Sequence, residues 1–285
     1  MEALQDRGLM GDYHLLIAPK VLEEPAAHED FYRRIPRATV IMDNGVIETD
    51  DPGDAEMLIE AARLVNADWT VLPDVPDDAV ATLQLAVDAA EIMAPALRSP
   101  LIGVIQGTDI KTLLKCAKGL QKHIPTLGAI GVPRSLIAHI GSRTEITMRI
   151  VDELKLPVHL LGISNDLLDD LYTANTVPEV MGLDSAAPVY SDQLMNLVDW
   201  EKTDRPHNYW QWHHFTQTSS QNIRRMRGWL TGVNYVPTVR EEPLSSEAPD
   251  EVIVDSSSSE KSRGKKNEEL ENPSSDQAED SSGNA

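Results

Sequence analysis

Three aspartates, Asp43, Asp74 and Asp184, each stand at the end of a short apolar run that is typical of a buried strand. Gln106 ends a fourth run in the same way and is followed by Gly107. A poorly solvated carboxylate can act as a nucleophile or as a general acid or base. We therefore expect these side chains to meet at one site, with Asp184 as the residue that carries the chemistry.

The simplest alternative for a lone aspartate at a strand end is an N-cap of the following helix. Asp77 and Asp78 follow Asp74 and are better placed to cap the next helix. Asp109 stands in the same relation to Gln106. Because other residues can cap these helices, the side chains at the strand ends are free for another role, and a shared site is the favoured interpretation.

These side chains need a scaffold in which many strands end at one mouth. Apolar, strand-like runs occupy 13–19, 39–45, 69–74, 101–107, 127–132, 158–163 and 180–184. Helical patterns lie between them at 53–66, 77–93, 109–123, 145–154 and 167–173. This alternation predicts an α/β fold with a parallel sheet covered on both faces, as an open doubly wound sheet or a (β/α)8 barrel. Polar residues at the ends of many strands favour the barrel, of which the pattern places seven strands.

The composition predicts a soluble, cytoplasmic protein without a metal centre. No apolar run approaches the roughly 20 residues of a membrane span, and the first residues lack the apolar core of a signal peptide. The single cysteine, Cys116, excludes an intramolecular disulfide and a cysteine-cluster zinc site. His207, His213 and His214 are the candidate metal group, but their tryptophan neighbours are more typical of a packed amphipathic helix.

The chain carries a formal net charge of −21, and this charge is unevenly distributed. Residues 241–285 hold 13 acids and 4 bases, which predicts a disordered, acidic, serine-rich tail after a folded domain at 1–240. An acidic chain is not an obvious nucleic-acid binder, because phosphate contacts need lysine and arginine. Arg224, Arg225 and Arg227, interleaved with aromatic residues in a largely helical stretch, form the candidate nucleic-acid surface, unless those aromatic residues belong to the core.

Six short motifs, in chain order, resemble those of the guanine transglycosylases. This family comprises the tRNA-guanine transglycosylases and their bacteriophage relatives that act on DNA. Each motif alone is weak, whereas six in order, over roughly residues 13–190, are more specific. The segments that carry the resemblance are Asp43-Asn44-Gly45, the strand-end Asp74, Val104-Ile105-Gln106-Gly107, Ile130-Gly131, Leu160-Leu161-Gly162-Ile163 and Leu183-Asp184-Ser185-Ala186-Ala187.

The resemblance implies a barrel enzyme that exchanges guanine for a free 7-deazaguanine base, similar to preQ0, and leaves the nucleic-acid backbone intact. Asp184 would be the nucleophile on C1′, and Asp43 would be the general acid and base. Asp74 would accept hydrogen bonds from N1–H and N2–H of guanine. No cofactor is implied. The O6 atom would be bound by the side-chain amide of Gln106 and by a backbone N–H at Gly131 or Val132. Gly107 is assigned to base binding as well.

One departure from the family bears on the substrate. The tRNA enzymes carry a zinc site of three cysteines and one histidine after the nucleophile strand, and this sequence has no such cysteines. We therefore expect guanine in DNA as the substrate, in the host cytoplasm if the protein is phage-encoded, with tRNA as the alternative. A non-catalytic partner subunit and a glycosidase that uses Asp43 with Asp184 are further alternatives. A homodimer or an accessory subunit stays open.

Overall fold

The fold is mixed α/β and is built around one parallel sheet. A computed structural model describes residues 13–34, 38–163, 167–191, 193–196 and 216–230. Within these ranges the sheet has seven strands, and every neighbouring pair is parallel. The strands are β1 (Tyr13–Ile17), β2 (Thr39–Asp43), β3 (Trp69–Val71), β4 (Leu101–Val104), β5 (Leu127–Pro133), β6 (Val158–Leu161) and β7 (Val180–Leu183).

The order of the strands in the sheet follows the order of the chain from β1 to β7. A doubly wound sheet reverses its strand order at a switch point, so the sequential order excludes that alternative. The α/β class and the seven predicted strands are confirmed. The described residues contain no eighth strand between β7 and β1, and closure into an eight-stranded barrel stays a prediction.

Eleven helices accompany the sheet within the described ranges, together with a short 3-10 turn at Arg134–Leu136. The five helices predicted from the sequence are all present, with ends shifted by a few residues. The helices are α1 (Ala18–Glu23), α2 (Pro25–Arg34), α3 (Val46–Thr49), α4 (Ala55–Val65), α5 (Ala79–Ala96), α6 (Ile110–His123), α7 (Ile137–Ile140), α8 (Arg143–Leu154), α9 (Leu167–Thr176), α10 (Ala187–Tyr190) and α11 (Gln217–Leu230).

Side-chain caps fix the start of the long helices. The Asp78 carboxylate accepts hydrogen bonds from Val80 N and Ala81 N at the start of α5, and Asp109 forms a capping box with Thr112 at the start of α6. An N-cap satisfies backbone donors that have no partner inside the helix. Asp78 and Asp109 therefore do the capping, as predicted, and Asp74 and Gln106 have other partners.

Both faces of the sheet are apolar, as a parallel sheet requires. One face carries a small cluster of Ile41, Val71, Ile102, Val104 and Ala129. The other face packs against the helices and forms the larger part of the core. Alternating residues of one strand point to opposite faces, so the interior of each strand is committed to packing. Three buried polar side chains, His14, Thr70 and His159, lie inside strands, and the candidate carboxylates lie at or just after the strand ends.

Helix α5 is the helix in the described part of the chain that is long and apolar enough to cross a membrane. It has 18 residues and a mean hydropathy of 1.2. The sequence analysis predicts a helix here but no membrane span. One face of α5, with Ala86, Ala90 and Met93, is buried, and the helix packs against α4 and α6. These contacts join α5 to its neighbouring helices on the sheet.

Some predictions fall outside the described ranges. The segment predicted to be largely helical at 193–232 is described at 193–196 and at 216–230, where α11 confirms a helix. The loop predicted at 204–207 and the tail predicted at 241–285 lie outside the described residues. All described residues belong to one compact unit, Met1–Pro237.

Candidate active site at the carboxyl ends of the strands

Asp184 follows the last residue of β7 and is held by two donors from β6 and the loop after it. Its Oδ1 atom lies 3.1 Å from the backbone N of Gly162 and 3.1 Å from Nε2 of His159. With an ionised Asp184, Nε2 must donate, because a carboxylate can only accept. The Asp184 side chain keeps 20% of its surface exposed, whereas the His159 side chain is fully buried.

The second carboxylate oxygen of Asp184, Oδ2, accepts no hydrogen bond from any residue in the described part of the chain. One oxygen is thus anchored and the other is available to a ligand. Gly162 supplies its N–H from a left-handed conformation, with φ of +68°, and a Cβ there would lie 3.0 Å from Cδ of Arg134. A glycine suits this turn, because other residues rarely adopt positive φ.

Asp43 ends β2 and lies in the electrostatic field of the other carboxylates. Its Oδ2 atom accepts one hydrogen bond from Gly45 N at 3.1 Å. Burial raises the pKa of Asp43 well above its ordinary value, and the negative charges of Glu48, Asp184 and Asp74 raise it further. Compared with a free aspartate, Asp43 is shifted toward its protonated form, and this form can give a proton to a bound group.

Asp74 is buried and lies between two side-chain amides. Asn44 Nδ2 donates to Asp74 Oδ1 at 2.7 Å, and Gln106 Nε2 donates to Asp74 Oδ2 at 2.6 Å. Burial raises the pKa of Asp74, while the two amide hydrogen bonds act in the opposite direction. The sequence interpretation included Gln106 but missed Asn44, whose only signal is its position directly after Asp43.

The backbone fixes the orientation of both amides. Asn44 Nδ2 also donates to Leu72 O at 2.9 Å, and Asn44 Oδ1 accepts from Val46 N at 2.9 Å. Gln106 Oε1 accepts from Asp77 N at 3.0 Å. Neither amide can rotate by half a turn without losing these bonds, so both must present N–H to Asp74. The network makes Asp74 an acceptor at both oxygens.

The remaining residues assigned to base binding are Gly107, which follows Gln106, and two residues of β5. Gly107 follows Gln106 with φ of +144°, and a Cβ there would lie 2.7 Å from Oγ1 of Thr112. Gly131 and Val132 lie inside β5, which pairs with both β4 and β6, and Gly131 O accepts from Ile105 N at 3.1 Å. These two residues are strand residues rather than turn residues, and their contact with O6 stays a prediction.

A buried ion pair braces the strand ends next to the site. Arg143, at the start of α8, and Asp170, on α9, have no exposed side-chain surface, and the Nε of Arg143 donates to Asp170 Oδ1 at 2.8 Å. Arg143 Nη1 also donates to Val132 O at 3.1 Å and to Leu161 O at 3.2 Å. The pair ties the ends of β5 and β6 to two helices. Sequence reasoning did not find it, because the two residues are far apart in the chain.

The three arginines assigned to nucleic acid lie on α11 but do not share one environment. Arg224 and Arg227 are exposed, whereas Arg225 Nη1 donates to Met195 O at 2.6 Å. Trp229 packs against the core, as the alternative interpretation of the aromatic residues expects. Arg225 thus has a structural contact, and Arg224 and Arg227 are left as the surface cations of this helix.

No group of three or more potential metal ligands occurs in the described ranges. The histidines weighed as a metal group, His207, His213 and His214, lie outside them. Searches against protein-family models and against curated protein sequences return no match to this chain.

Proposed function

We propose that this protein is a base-exchange transglycosylase that replaces guanine in nucleic acid with a 7-deazaguanine base. The observation that carries the proposal is the convergence of three carboxylates with different surroundings. Asp43 is shifted toward its protonated form, Asp74 is a double acceptor, and Asp184 has one anchored and one available oxygen. Carboxylates that lie in different surroundings are suited to different catalytic roles.

In the first half-reaction, Asp184 Oδ2 attacks C1′ of the target nucleotide. A bond forms between this oxygen and C1′, and the bond between C1′ and the guanine ring nitrogen breaks. Protonated Asp43 gives its proton to the leaving purine. The product is a covalent glycosyl ester on Asp184 and a free guanine base.

The second half-reaction runs the same steps in reverse with the incoming base. Ionised Asp43 takes a proton from the ring nitrogen of the 7-deazaguanine, and that nitrogen attacks C1′. The ester bond to Asp184 breaks and its carboxylate is released. Asp43 ends the cycle protonated, as it began, and the nucleic-acid backbone is never cut.

Asp74 and Gln106 are suited to recognise the purine edge. Each Asp74 oxygen accepts one amide hydrogen bond within the described structure, and a carboxylate oxygen can accept two. The N1–H and N2–H donors of guanine can therefore be added without breaking the network. One Gln106 amide hydrogen goes to Asp74, and the second has no acceptor among the described residues, so it can serve O6.

The finer parts of the proposal are a closed barrel, a cytoplasmic location and DNA as the preferred substrate, with tRNA as the alternative. No cysteine follows Asp184 in the sequence, so the tRNA enzymes' cysteine zinc site has no counterpart in these residues. A target base must leave the helical stack to reach a mouth of this kind. A non-catalytic partner subunit would not need an available oxygen on Asp184, so this feature favours an enzyme over that alternative.

An exchange assay tests the proposal. Radiolabelled guanine is incubated with the protein and either DNA or tRNA, and label is counted in the recovered nucleic acid. Incorporation into DNA is the expected result. Incorporation into tRNA alone would change the substrate and keep the chemistry. No incorporation into either, together with cleavage of sugar substrates, would replace the proposal with a glycosidase that uses Asp43 and Asp184.

A further inference from the structure

Helix α6 has a charge that sets it apart from the rest of this acidic protein. Its 14 residues include four lysines and no aspartate or glutamate, in a chain of net charge −21. A local cationic helix on an anionic protein creates a potential that attracts anions to one place. The sequence-based prediction assigned nucleic-acid contact to the arginines of α11 and did not include the lysines of α6.

The lysines of α6 form one stripe on its outer face. Lys111, Lys115, Lys118 and Lys122 are spaced by four, three and four residues and are all exposed. Residues at this spacing lie on the same side of a helix, and the stripe extends about 16 Å along the axis. The opposite face of α6 is buried in the core. The stripe is therefore a solvent-facing row of positive charge.

Most of these lysines are not neutralised by neighbouring acids. Lys118 Nζ lies 2.6 Å from Glu153. Lys111, Lys115 and Lys122 form no ion pair with any residue in the described ranges. The exposed arginines of α2 behave differently, because Arg33 and Arg34 are each paired with an acid one turn earlier. Three cations of the stripe thus remain available to an external anion.

Lys111, Lys115 and Lys118 of the stripe form one wall of a groove between α6 and α8, which pack against each other. Lys122 continues the stripe along α6 beyond the residues that line the groove. Arg149 adds a further cation from α8, and it is paired with Glu145. Two partly buried apolar residues contribute to the lining. The residues that line the groove are Ile110, Lys111, Leu114, Lys115, Lys118, Arg149 and Glu153. The α6 wall of this groove is cationic, whereas the α8 wall carries Arg149 and Glu153, each paired with a residue of opposite charge.

The groove begins beside the candidate active site. Gln106, which donates to Asp74, is followed by Gly107 and by Asp109, the N-cap of α6. Lys111 is the first lysine of the stripe and lies in the first turn after that cap. A chain bound along α6 would therefore reach the carboxyl ends of the strands at its Lys111 end.

We propose that the groove between α6 and α8 binds the phosphate backbone of the nucleic acid whose guanine enters the site. The proposal rests on the proposed function for its partner, and on the charge and position of the stripe for its place. Phosphates would displace water and counterions from Lys111, Lys115 and Lys122 and relieve the repulsion between these like charges. The acidic remainder of the surface repels the backbone and confines it to this path.

The salt dependence of binding tests the groove. Lys111, Lys115 and Lys122 are replaced together by Gln, and binding of a fluorescent guanine-containing single-stranded DNA is measured at several salt concentrations. Each lost phosphate contact lowers the slope of log affinity against log salt by about 0.7 for a single strand, so a loss of about 2 is expected. Affinity at low salt should fall at least about tenfold.

A control variant carries the same change in charge at another place. Lys20, Arg33 and Arg34 are paired with acids on α1 and α2, and their triple replacement by Gln should leave the slope unchanged. Circular dichroism melting of both variants checks that the exposed substitutions leave the fold intact. An equal loss of slope in both variants would show a general charge effect and overturn the groove.

The outcomes for the groove and for the enzyme are separate. If the wild type exchanges guanine and the α6 variant keeps its full salt slope, the groove does not bind the backbone and the proposed function stands. If the α6 variant loses slope but the wild type exchanges no base, the groove stands and the proposed function fails. If the wild type binds neither single-stranded nor duplex nucleic acid at low salt, the proposal that the groove binds a nucleic-acid backbone is refuted.

Discussion

Replacement of Arg143 by Met is expected to lower the free energy of unfolding by about 3–5 kcal/mol. The side chains of Arg143 and Asp170 are both fully buried, and two Arg143 nitrogens lie 2.5 and 2.8 Å from one Asp170 oxygen. Replacement of Arg143 takes this cation away from the buried Asp170 carboxylate, and removal of one partner alone is the costly way to break such a pair. The carbonyl oxygens of Val132 and Leu161 lose a donor as well.

This loss should be visible as a lower melting temperature. For a domain of this size, 1 kcal/mol corresponds to a shift of about 2–4 °C, so the expected decrease is roughly 6–20 °C. Urea unfolding followed by circular dichroism gives the free energy directly. Because Arg143 donates to the ends of β5 and β6, the variant should also loosen the turn that presents Gly162 to Asp184.

Two further variants separate the ion pair from simple packing. Arg149→Met changes the same residue type on the same helix, where the exposed pair with Glu145 contributes about 0–1 kcal/mol. The double variant Arg143→Met with Asp170→Leu removes both charges and should recover most of the loss. If Arg143→Met costs no more than Arg149→Met, or if the double variant is as unstable as the single one, the buried pair does not brace the strand ends.

Three other variants test the roles of the site residues. His159→Phe removes the donor to Asp184 and should lower kcat for exchange about tenfold to a hundredfold, since a hydrogen bond to a charged group contributes roughly 1.5–3 kcal/mol. An unchanged KM for the free base, together with partial recovery of kcat in His159→Gln, would show that His159 positions Asp184 and that the loss does not come from misfolding. Asp43→Asn should have a higher free energy of unfolding than the wild type at pH 7.5. This difference should shrink toward pH 4.5, as measured by denaturant titrations. Because the pKa of Asp43 is raised in the folded protein, its ionisation opposes folding as the pH rises above the ordinary pKa of an aspartate. A stability difference that does not change with pH would contradict the raised pKa. Asp74→Ala should weaken binding of free 7-deazaguanine by about 1–3 kcal/mol, measured by calorimetry, because two guanine donors lose their acceptor; unchanged affinity would count against the assignment.

The strands were predictable because their composition leaves little choice. Near-continuous apolar runs bounded by Asp and Gly give the seven strands, and the capping residues Asp78 and Asp109 mark where two of the helices begin. The ten-residue helix α2 was not predicted, and neither were the short helices α1, α3, α7 and α10, of four to six residues. Helices of this length have no full period to recognise and depend on tertiary contacts.

The positions of the carboxylates were predictable, but their partners were not. His159 reaches Asp184 because β6 and β7 pair with a register shift between Val158 and His159, and no local pattern reveals such a shift. The only sequence signal for the contact between His159 and Asp184 was the presence of a polar residue in an apolar strand. The hydrogen bonds of Asn44 and Gln106 to Asp74 likewise depend on how three strand ends align. Propensity and periodicity describe single elements, whereas these contacts come from the registers between them.

Detection of the covalent intermediate tests the central proposal most directly. The protein is incubated with guanine-containing DNA without an incoming base, then denatured, digested and examined by mass spectrometry. The expected result is a glycosyl adduct on Asp184 that is absent from Asp184→Ala and Asp184→Asn, with exchange lost in both variants. An adduct on another residue, or exchange by Asp184→Asn above a few per cent of wild type, would contradict the assignment of Asp184 as nucleophile.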